Sequence, residues 1–206
     1  MMSLTFARLR FALFALLCLL IAAMSARLLI PELARTAGHL HYHYEARFLA
    51  LYGHIAFAVI ALAVMPFQFS TRLRAARPGL HRLIGRIYVA SCIIGGLCGL
   101  WLAVGTQAGL VAAWGFGLLA VVWIWCTLQG LFAARARAFA DHRRWMIRSA
   151  ALTFGAVTLR IYLIGALAAG LDFNSFYPLL GWISWVPNLI IAEWVLLERR
   201  PARVRA

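Results

Sequence analysis

Residues 48–69 read FLALYGHIAFAVIALAVMPFQF and contain no charged side chain. A helix that crosses the hydrocarbon core of a bilayer needs about 20 mainly apolar residues, so this run predicts a transmembrane helix. Five more apolar runs of similar length lie at residues 11–30, 83–104, 110–133, 146–169 and 177–197. We therefore predict an all-α, polytopic membrane bundle of about six transmembrane helices.

The composition agrees with this interpretation and excludes a soluble fold. Of the 206 residues, 65% are hydrophobic and only 13% are charged, whereas about a quarter of the residues in a soluble domain are charged. Six spans leave only short connections, so residues 1–206 are expected to form a single membrane domain. Arg8 and Arg10 before the first run, with Ala23-Met24-Ser25-Ala26 near its end, also resemble a signal peptide. The length of the run favours an uncleaved helix.

Arginine distribution predicts the orientation of the chain. All 20 basic residues are arginines, and against six acidic residues they give a net charge of +14. Sixteen of them lie before the first run, after the last run, or in and at the edges of the second-to-third and fourth-to-fifth connections. The positive-inside rule places these segments and both termini in the cytoplasm. In a bacterial cell the membrane would then be the inner one. The charge is expected to face anionic headgroups or a protein partner. Nucleic-acid binding is not expected, because no basic domain stands apart from the helices.

Four polar side chains stand out inside the predicted spans: His54, Arg160, Asn188 and Glu193. An ionisable group in the middle of a span costs about 2.5–3.5 kcal/mol on insertion scales, so each needs a partner or a function. Counting about 1.5 Å per residue from the helix ends puts His54 and Arg160 at similar depth in the outer half of the membrane. The same count puts Glu193 in the inner half, level with Arg148, and Asn188 near the midplane.

Two interpretations of these four residues are open. In the structural one, Arg160 pairs with Asp172 or with a helix-end carbonyl, and Glu193 pairs with Arg148, so that both pairs lock the bundle. In the functional one, the four side chains line a path for a small solute or a proton, with Arg160 contacting an anionic substrate.

Helical spacing groups further residues into stripes. Polar seams follow one face of the fifth run and one face of the third: His142, Ser149, Thr153 and Arg160, and His81, Tyr88 and Cys92. Both seams are predicted to turn into the bundle, away from lipid. Small residues every fourth position, at Ser91, Gly95 and Gly99, are typical of close helix packing. Aromatic residues near the ends of the runs are predicted to anchor at the headgroup level: Trp101, Trp114, Trp145, Tyr177, Trp182 and Trp194.

His81 and His142 begin the third and fifth helices at the same predicted membrane level. Haem in a helical bundle takes an axial ligand from each of two facing helices at matched depth. These histidines are therefore candidate ligands of a b-type haem, with Arg82 and Arg143 as candidate contacts for its propionates. In a simpler interpretation, both histidines lie at the interface and bond to headgroups or loop carbonyls.

A second histidine cluster lies in the outer connection, where His39, His41 and His43 alternate with Leu40 and Tyr42. Such a tract is a candidate copper, zinc or nickel site. Its tyrosines also suit a plain interfacial segment.

Two longer motifs carry a family resemblance. Residues 80–88 read LHRLIGRIY and residues 141–149 read DHRRWMIRS, and the second continues as ALTF at 151–154 and VTLR at 157–160. With PFQF at 66–69 and WVPN at 185–188, this pattern resembles a bacterial membrane-protein family catalogued as domain of unknown function 2306. The resemblance covers about residues 51–194 and departs from the family at Ala150, where a larger residue is expected. It implies a helical membrane domain and no particular reaction.

Three functions are consistent with the sequence. They are electron transfer through haem b, transport of a small solute or a proton, and a non-catalytic role as a membrane assembly or accessory protein. Enzymatic activity is left undecided, and the sequence carries no zinc-hydrolase spacing such as HExxH.

Overall fold

The structure, a computed structural model, describes residues 2–36 and 41–198. Within these ranges the chain is helical and forms no β-strand. The helices are α1 (Met2–Ala26), α2 (Pro31–Thr36), α3 (His41–Ala46), α4 (Phe48–Gln68), α5 (Thr71–Ala76), α6 (Pro78–Val104), α7 (Gly109–Arg135), α8 (Phe139–Ala168), α9 (Phe173–Ile183) and α10 (Val186–Glu198). A single 3-10 turn, Arg27–Leu29, follows α1.

Six segments of the described chain are long and apolar enough to cross a membrane. They are Arg8–Leu29, α4, α6, α7, α8 and the combined segment Phe173–Glu198, which contains α9 and α10. The predicted six-helix membrane bundle is therefore confirmed.

The two ends of the bundle differ in charge. One end, which we call the Arg-rich end, is formed by the start of α1, by α5, by the turn between α7 and α8, and by the end of α10. Among the described residues, the opposite, Arg-poor end contains residues 27–36 and 41–47, the α6–α7 turn and the α8–α9 turn. At this end Arg47 donates a 2.5 Å hydrogen bond to the carbonyl of Trp101, in the last turn of α6. A cation there offsets the negative end of the helix dipole.

The core forms where α4, α6, α7 and α8 pack in sequence, with α1 against α4 and α8. The Phe14 ring of α1 stacks on Phe154 of α8 with centroids 5.6 Å apart, and Cys18 is fully buried. A Cβ at Gly95 would lie 3.3 Å from the backbone nitrogen of Ala58, so the small residues of α6 do let α4 approach closely. Ala150, where the family resemblance departs, is buried in this core.

The last span is broken rather than continuous. The sequence predicted one helix over residues 177–197, whereas the structure ends α9 at Ile183 and begins α10 at Val186. Proline at position 187 has no amide hydrogen to donate to the carbonyl of Ile183, which weakens the helix there. The Asn188 side chain donates to the neighbouring Ser184 carbonyl at 3.0 Å and satisfies a backbone group at the break.

Candidate functional site

A cavity of about 540 Å³ lies in the half of the bundle nearest the Arg-poor end. Its walls come from α1, α4, α6, α7, α8 and α9, with single residues of α2 and α3 and part of the 3-10 turn, and most of the lining residues are aliphatic, aromatic or glycine. Sites for small molecules typically have volumes of about 300–1,000 Å³, mainly apolar walls and a few polar groups. Both the size and the lining of this cavity match that description.

The cavity contains a partly buried cation, Arg160 of α8. Its guanidinium donates to the Ala156 carbonyl one turn earlier on the same helix, at 3.2 Å. All six acidic residues of the chain are among the described residues, and none of them forms an ion pair with Arg160. The predicted Asp172 partner is wrong, because that carboxylate caps α9 by accepting from the Ser175 backbone nitrogen at 2.9 Å.

His54 of α4 lies beside Arg160, and both side chains line the main cavity and a smaller one of about 70 Å³ next to it. The His54 Nδ1 atom is 2.8 Å from the carbonyl of Gly95. Because a carbonyl only accepts, we assign the hydrogen to Nδ1, which leaves Nε2 of the neutral ring as an acceptor. A Cβ at Gly99 would lie 2.9 Å from this Nδ1, so glycine provides the room for the ring.

Two further hydroxyl groups of the lining come from α9 and from the α9–α10 break. Tyr177 of α9 is close enough to Arg160 to interact with its charge. Ser184 lies at the α9–α10 break, and its buried hydroxyl has no hydrogen-bond partner among the described residues. The sequence predicted Tyr177 only as an interfacial anchor and did not single out Ser184. Their positions depend on the break between α9 and α10, for which Pro187 was the only signal in the sequence.

A buried hydroxyl cluster lies next to the cavity, which reaches Thr153 and Trp123. The Tyr88 hydroxyl is 2.9 Å from Ser149 Oγ and 2.7 Å from Thr153 Oγ1. Trp123 Nε1 donates to Thr153 at 2.8 Å, and Thr127 is 2.7 Å from Ser149. The two polar seams predicted on α6 and α8 therefore meet inside the bundle, as expected.

Every group in the cluster is satisfied by one consistent assignment of hydrogens. Thr153 and Thr127 donate to backbone carbonyls four residues earlier, at 2.9 and 2.8 Å. Thr153 then accepts from both Tyr88 and Trp123, while Ser149 donates to Thr127. A fully paired network of this kind stabilises a unique packing of α6, α7 and α8.

The other two intramembrane polar residues have structural partners and do not line the cavity. Glu193 forms a two-bond ion pair with Arg148, the second bond being 2.8 Å long, and the Arg148 guanidinium lies 4.6 Å from the centre of the Trp145 ring. Asn188 joins α10 to α8 by donating to Thr158 Oγ1 at 2.9 Å. Of the four residues, only His54 and Arg160 share a site.

The candidate haem ligands lie towards the Arg-rich end. His142 Nδ1 is 2.8 Å from the Gly130 carbonyl, which leaves its Nε2 available, as in many metal-bound histidines. The buried Nδ1 of His81 has no partner among the described residues, and the two rings are close enough for their charges to interact. Neither ring lines the two cavities described above, and Arg82 and Arg143 are exposed.

The outer histidine tract is only partly described, because His39 lies outside the described residues. His41 pairs with Glu45 at 3.3 Å within α3, and both side chains are exposed. His41 and His43 are two positions apart on a helix, which turns them to different faces. The described part of the chain contains no group of three histidine, cysteine or acidic side chains that could hold a metal ion.

Comparison with known proteins places this architecture in a family. Residues 51–196 match the family model described as "Predicted membrane protein (DUF2306)". Neither the curated proteins nor the solved structures contain a significant match. The matched region runs from α4 to α10, covers well over half of the chain, and includes both histidine motifs as well as His54 and Arg160. The chain therefore belongs to the DUF2306 family of predicted membrane proteins.

Proposed function

We propose that this protein binds a small organic anion with a mainly apolar body and carries it across a bacterial inner membrane. The observation that carries the proposal is Arg160, a partly buried cation that faces a mainly apolar cavity and has no acidic partner. The outer cavity would be its binding site. By the positive-inside rule, that cavity is expected to open away from the cytoplasm.

The chemistry of the walls limits the class of ligand that the cavity can bind. A buried charge is unfavourable unless it is paired, and the planar guanidinium of Arg160 suits a carboxylate, which can accept two parallel hydrogen bonds. Tyr177 and Ser184 provide neutral polar contacts beside it. The remaining walls are largely apolar, so an anion that is hydrophilic throughout would lose hydration without compensation. A carboxylate on an aromatic or aliphatic body satisfies both conditions.

Binding can be tested with 2-naphthoate and its neutral isostere 2-naphthamide, by equilibrium dialysis against the protein in lipid nanodiscs. We expect naphthoate to bind and naphthamide to bind much more weakly. Arg160→Gln should weaken naphthoate binding about 10- to 100-fold, because a hydrogen bond to a charged group contributes about 1.5–3 kcal/mol. Arg74→Gln, an exposed arginine on α5, is the matched control and should leave binding unchanged. Equal binding of both compounds, or equal effects of both variants, would refute the proposal.

Transport of the anion across the membrane requires a separate measurement. Proteoliposomes should accumulate labelled naphthoate down its gradient at a rate that falls in Arg160→Gln, with the melting temperature of the variant unchanged. Binding without flux would instead favour the accessory role, in which the cavity holds a bound molecule and moves nothing.

Electron transfer through haem b at His81 and His142 is the second candidate. It is favoured by the His142–Gly130 hydrogen bond, which orients the ring as ligand histidines are commonly oriented. It ranks below anion binding because neither cavity reaches the two rings. A reduced-minus-oxidised absorption spectrum of the purified protein, after expression with added haem, distinguishes the candidates. A haem spectrum that His142→Ala abolishes and His54→Ala retains would favour the second.

A further inference from the structure

We propose that the cavity takes up one proton together with the anion, and that Nε2 of His54 is the proton site. This inference rests on the proposed anion binding and adds the coupling ion to it. Arg160 would hold the anion and His54 the proton, so the occupied cavity would gain no net charge.

The first step is the orientation of the imidazole. The hydrogen bond from Nδ1 to the Gly95 carbonyl fixes the ring and assigns one hydrogen to that nitrogen. Nε2 is then the only atom of the ring that can gain a proton. The ring lines the same two cavities as Arg160, so a ligand held by that guanidinium would lie beside the imidazole.

The second step is the charge around the ring. The titratable or charged groups that face His54 or share its cavity come from five different elements: Arg160 of α8, Tyr177 of α9, Cys98 of α6, Arg27 of the 3-10 turn and His43 of α3. No acidic side chain lines either cavity in the part of the chain that the structure describes. The permanent charges near the ring are therefore positive.

The consequence is a coupling between anion and proton. In the empty cavity an imidazolium would stand beside the Arg160 cation in a largely apolar site, which opposes protonation. A bound carboxylate reverses the local charge and favours an imidazolium next to it. Since the anion favours proton binding, the proton must equally favour anion binding.

Two measurements on the protein in nanodiscs test this coupling. When naphthoate is added to the protein in weak buffer, the complex should take up about one proton per naphthoate bound. A pH indicator in the solution would report this uptake. The Kd for naphthoate should also depend on pH between about pH 6 and about pH 8.5, a range in which the carboxylate stays ionised. At the alkaline end of this range the Kd should rise about tenfold per pH unit. Substitution of His54 should abolish both effects.

The variants are chosen to separate the proton site from packing. His54→Asn places an amide nitrogen near the position of Nδ1 and can keep the hydrogen bond to Gly95, whereas His54→Gln places one near Nε2. Neither amide titrates, so both should bind naphthoate without proton uptake and with a flat pH profile. His41→Gln, at an exposed histidine that lines neither cavity, is the matched control and should retain the uptake.

The outcomes separate this inference from the proposed function. Naphthoate binding that depends on Arg160 but releases or takes up no proton would overturn the inference and leave the proposed function intact. Proton uptake that survives both His54 variants would overturn the assignment to His54. Absence of naphthoate binding would overturn both proposals.

Discussion

Arg148 and Arg160 lie on the same helix, α8, and their surroundings give them different roles. Arg148 meets the Glu193 carboxylate of α10 and the Trp145 ring, so its charge is paired and locks two elements together. Arg160, three turns further along, meets only a carbonyl of its own helix and the cavity. In the structural interpretation of the sequence, Glu193 was the predicted partner of Arg148, and Asp172 or a helix-end carbonyl that of Arg160. The Arg148–Glu193 pair forms and the Arg160–Asp172 pair does not, because contacts between helices depend on tertiary packing.

The hydroxyl cluster makes a prediction about single residues. Tyr88→Phe removes one donor but leaves Thr153, Ser149 and Thr127 with other partners, so it should lower the free energy of unfolding by at most about 1 kcal/mol. Thr153→Val removes the acceptor of the buried Trp123 indole N–H. This variant should lower the free energy of unfolding by about 1–3 kcal/mol. Unfolding of the two variants in detergent micelles measures the difference.

The ranking of the two variants is the test. A larger loss in Tyr88→Phe than in Thr153→Val would show that the assignment of hydrogens in the cluster is incorrect. Both side chains are buried and each substitution preserves shape, so neither change should be dominated by packing.

At the level of elements, the six spans were predictable because bilayer thickness sets the length of an apolar run. The inward-facing seams on α6 and α8 were predictable because helical periodicity assigns residues to faces. The break between α9 and α10 was not predicted, since proline occurs in continuous membrane helices wherever neighbours satisfy the freed carbonyl. That break brings Ser184 into the cavity lining.

The crossing of α7 and α9 provides a prediction at this level. A Cβ at Gly115 would lie 2.7 Å from the backbone carbon of Gly181, so the two helices touch through their backbones. Gly115→Ala should lower the free energy of unfolding by about 1–3 kcal/mol, because overpacking outweighs the higher helix propensity of alanine. It should also weaken naphthoate binding, since α9 carries Tyr177 into the cavity.

Gly165→Ala in α8 is the control for this prediction, because a Cβ there meets nothing within 4 Å. It should be neutral or stabilise the protein by up to about 1 kcal/mol. Equal stability of the two variants would mean that α7 and α9 do not cross at Gly115 and Gly181. Thermal unfolding followed by circular dichroism compares them directly.

For the whole molecule, the cavity is a property of the assembled bundle and could not be predicted from any one segment. Residues from nine helical elements line it, and the two intramembrane ionisable residues that the sequence singled out there, His54 and Arg160, are more than 100 positions apart in the chain. Depth counting placed them at one level of the membrane. Only packing shows that they face the same space, whereas Asn188 and Glu193, the other intramembrane polar residues, face neighbouring helices.

Orientation decides which compartment supplies the ligand, and it can be measured by cysteine labelling. Gln107→Cys lies on the exposed α6–α7 turn at the Arg-poor end, and Arg74→Cys lies on exposed α5 at the Arg-rich end. The native Cys18, Cys92 and Cys126 are buried and Cys98 is half-buried, so unsubstituted protein gives the background. In intact spheroplasts a membrane-impermeant maleimide should label Gln107→Cys, and it should label Arg74→Cys only after lysis, because the positive-inside rule predicts that the Arg-rich end faces the cytoplasm. The reverse pattern would open the cavity to the cytoplasm and make the anion an export substrate.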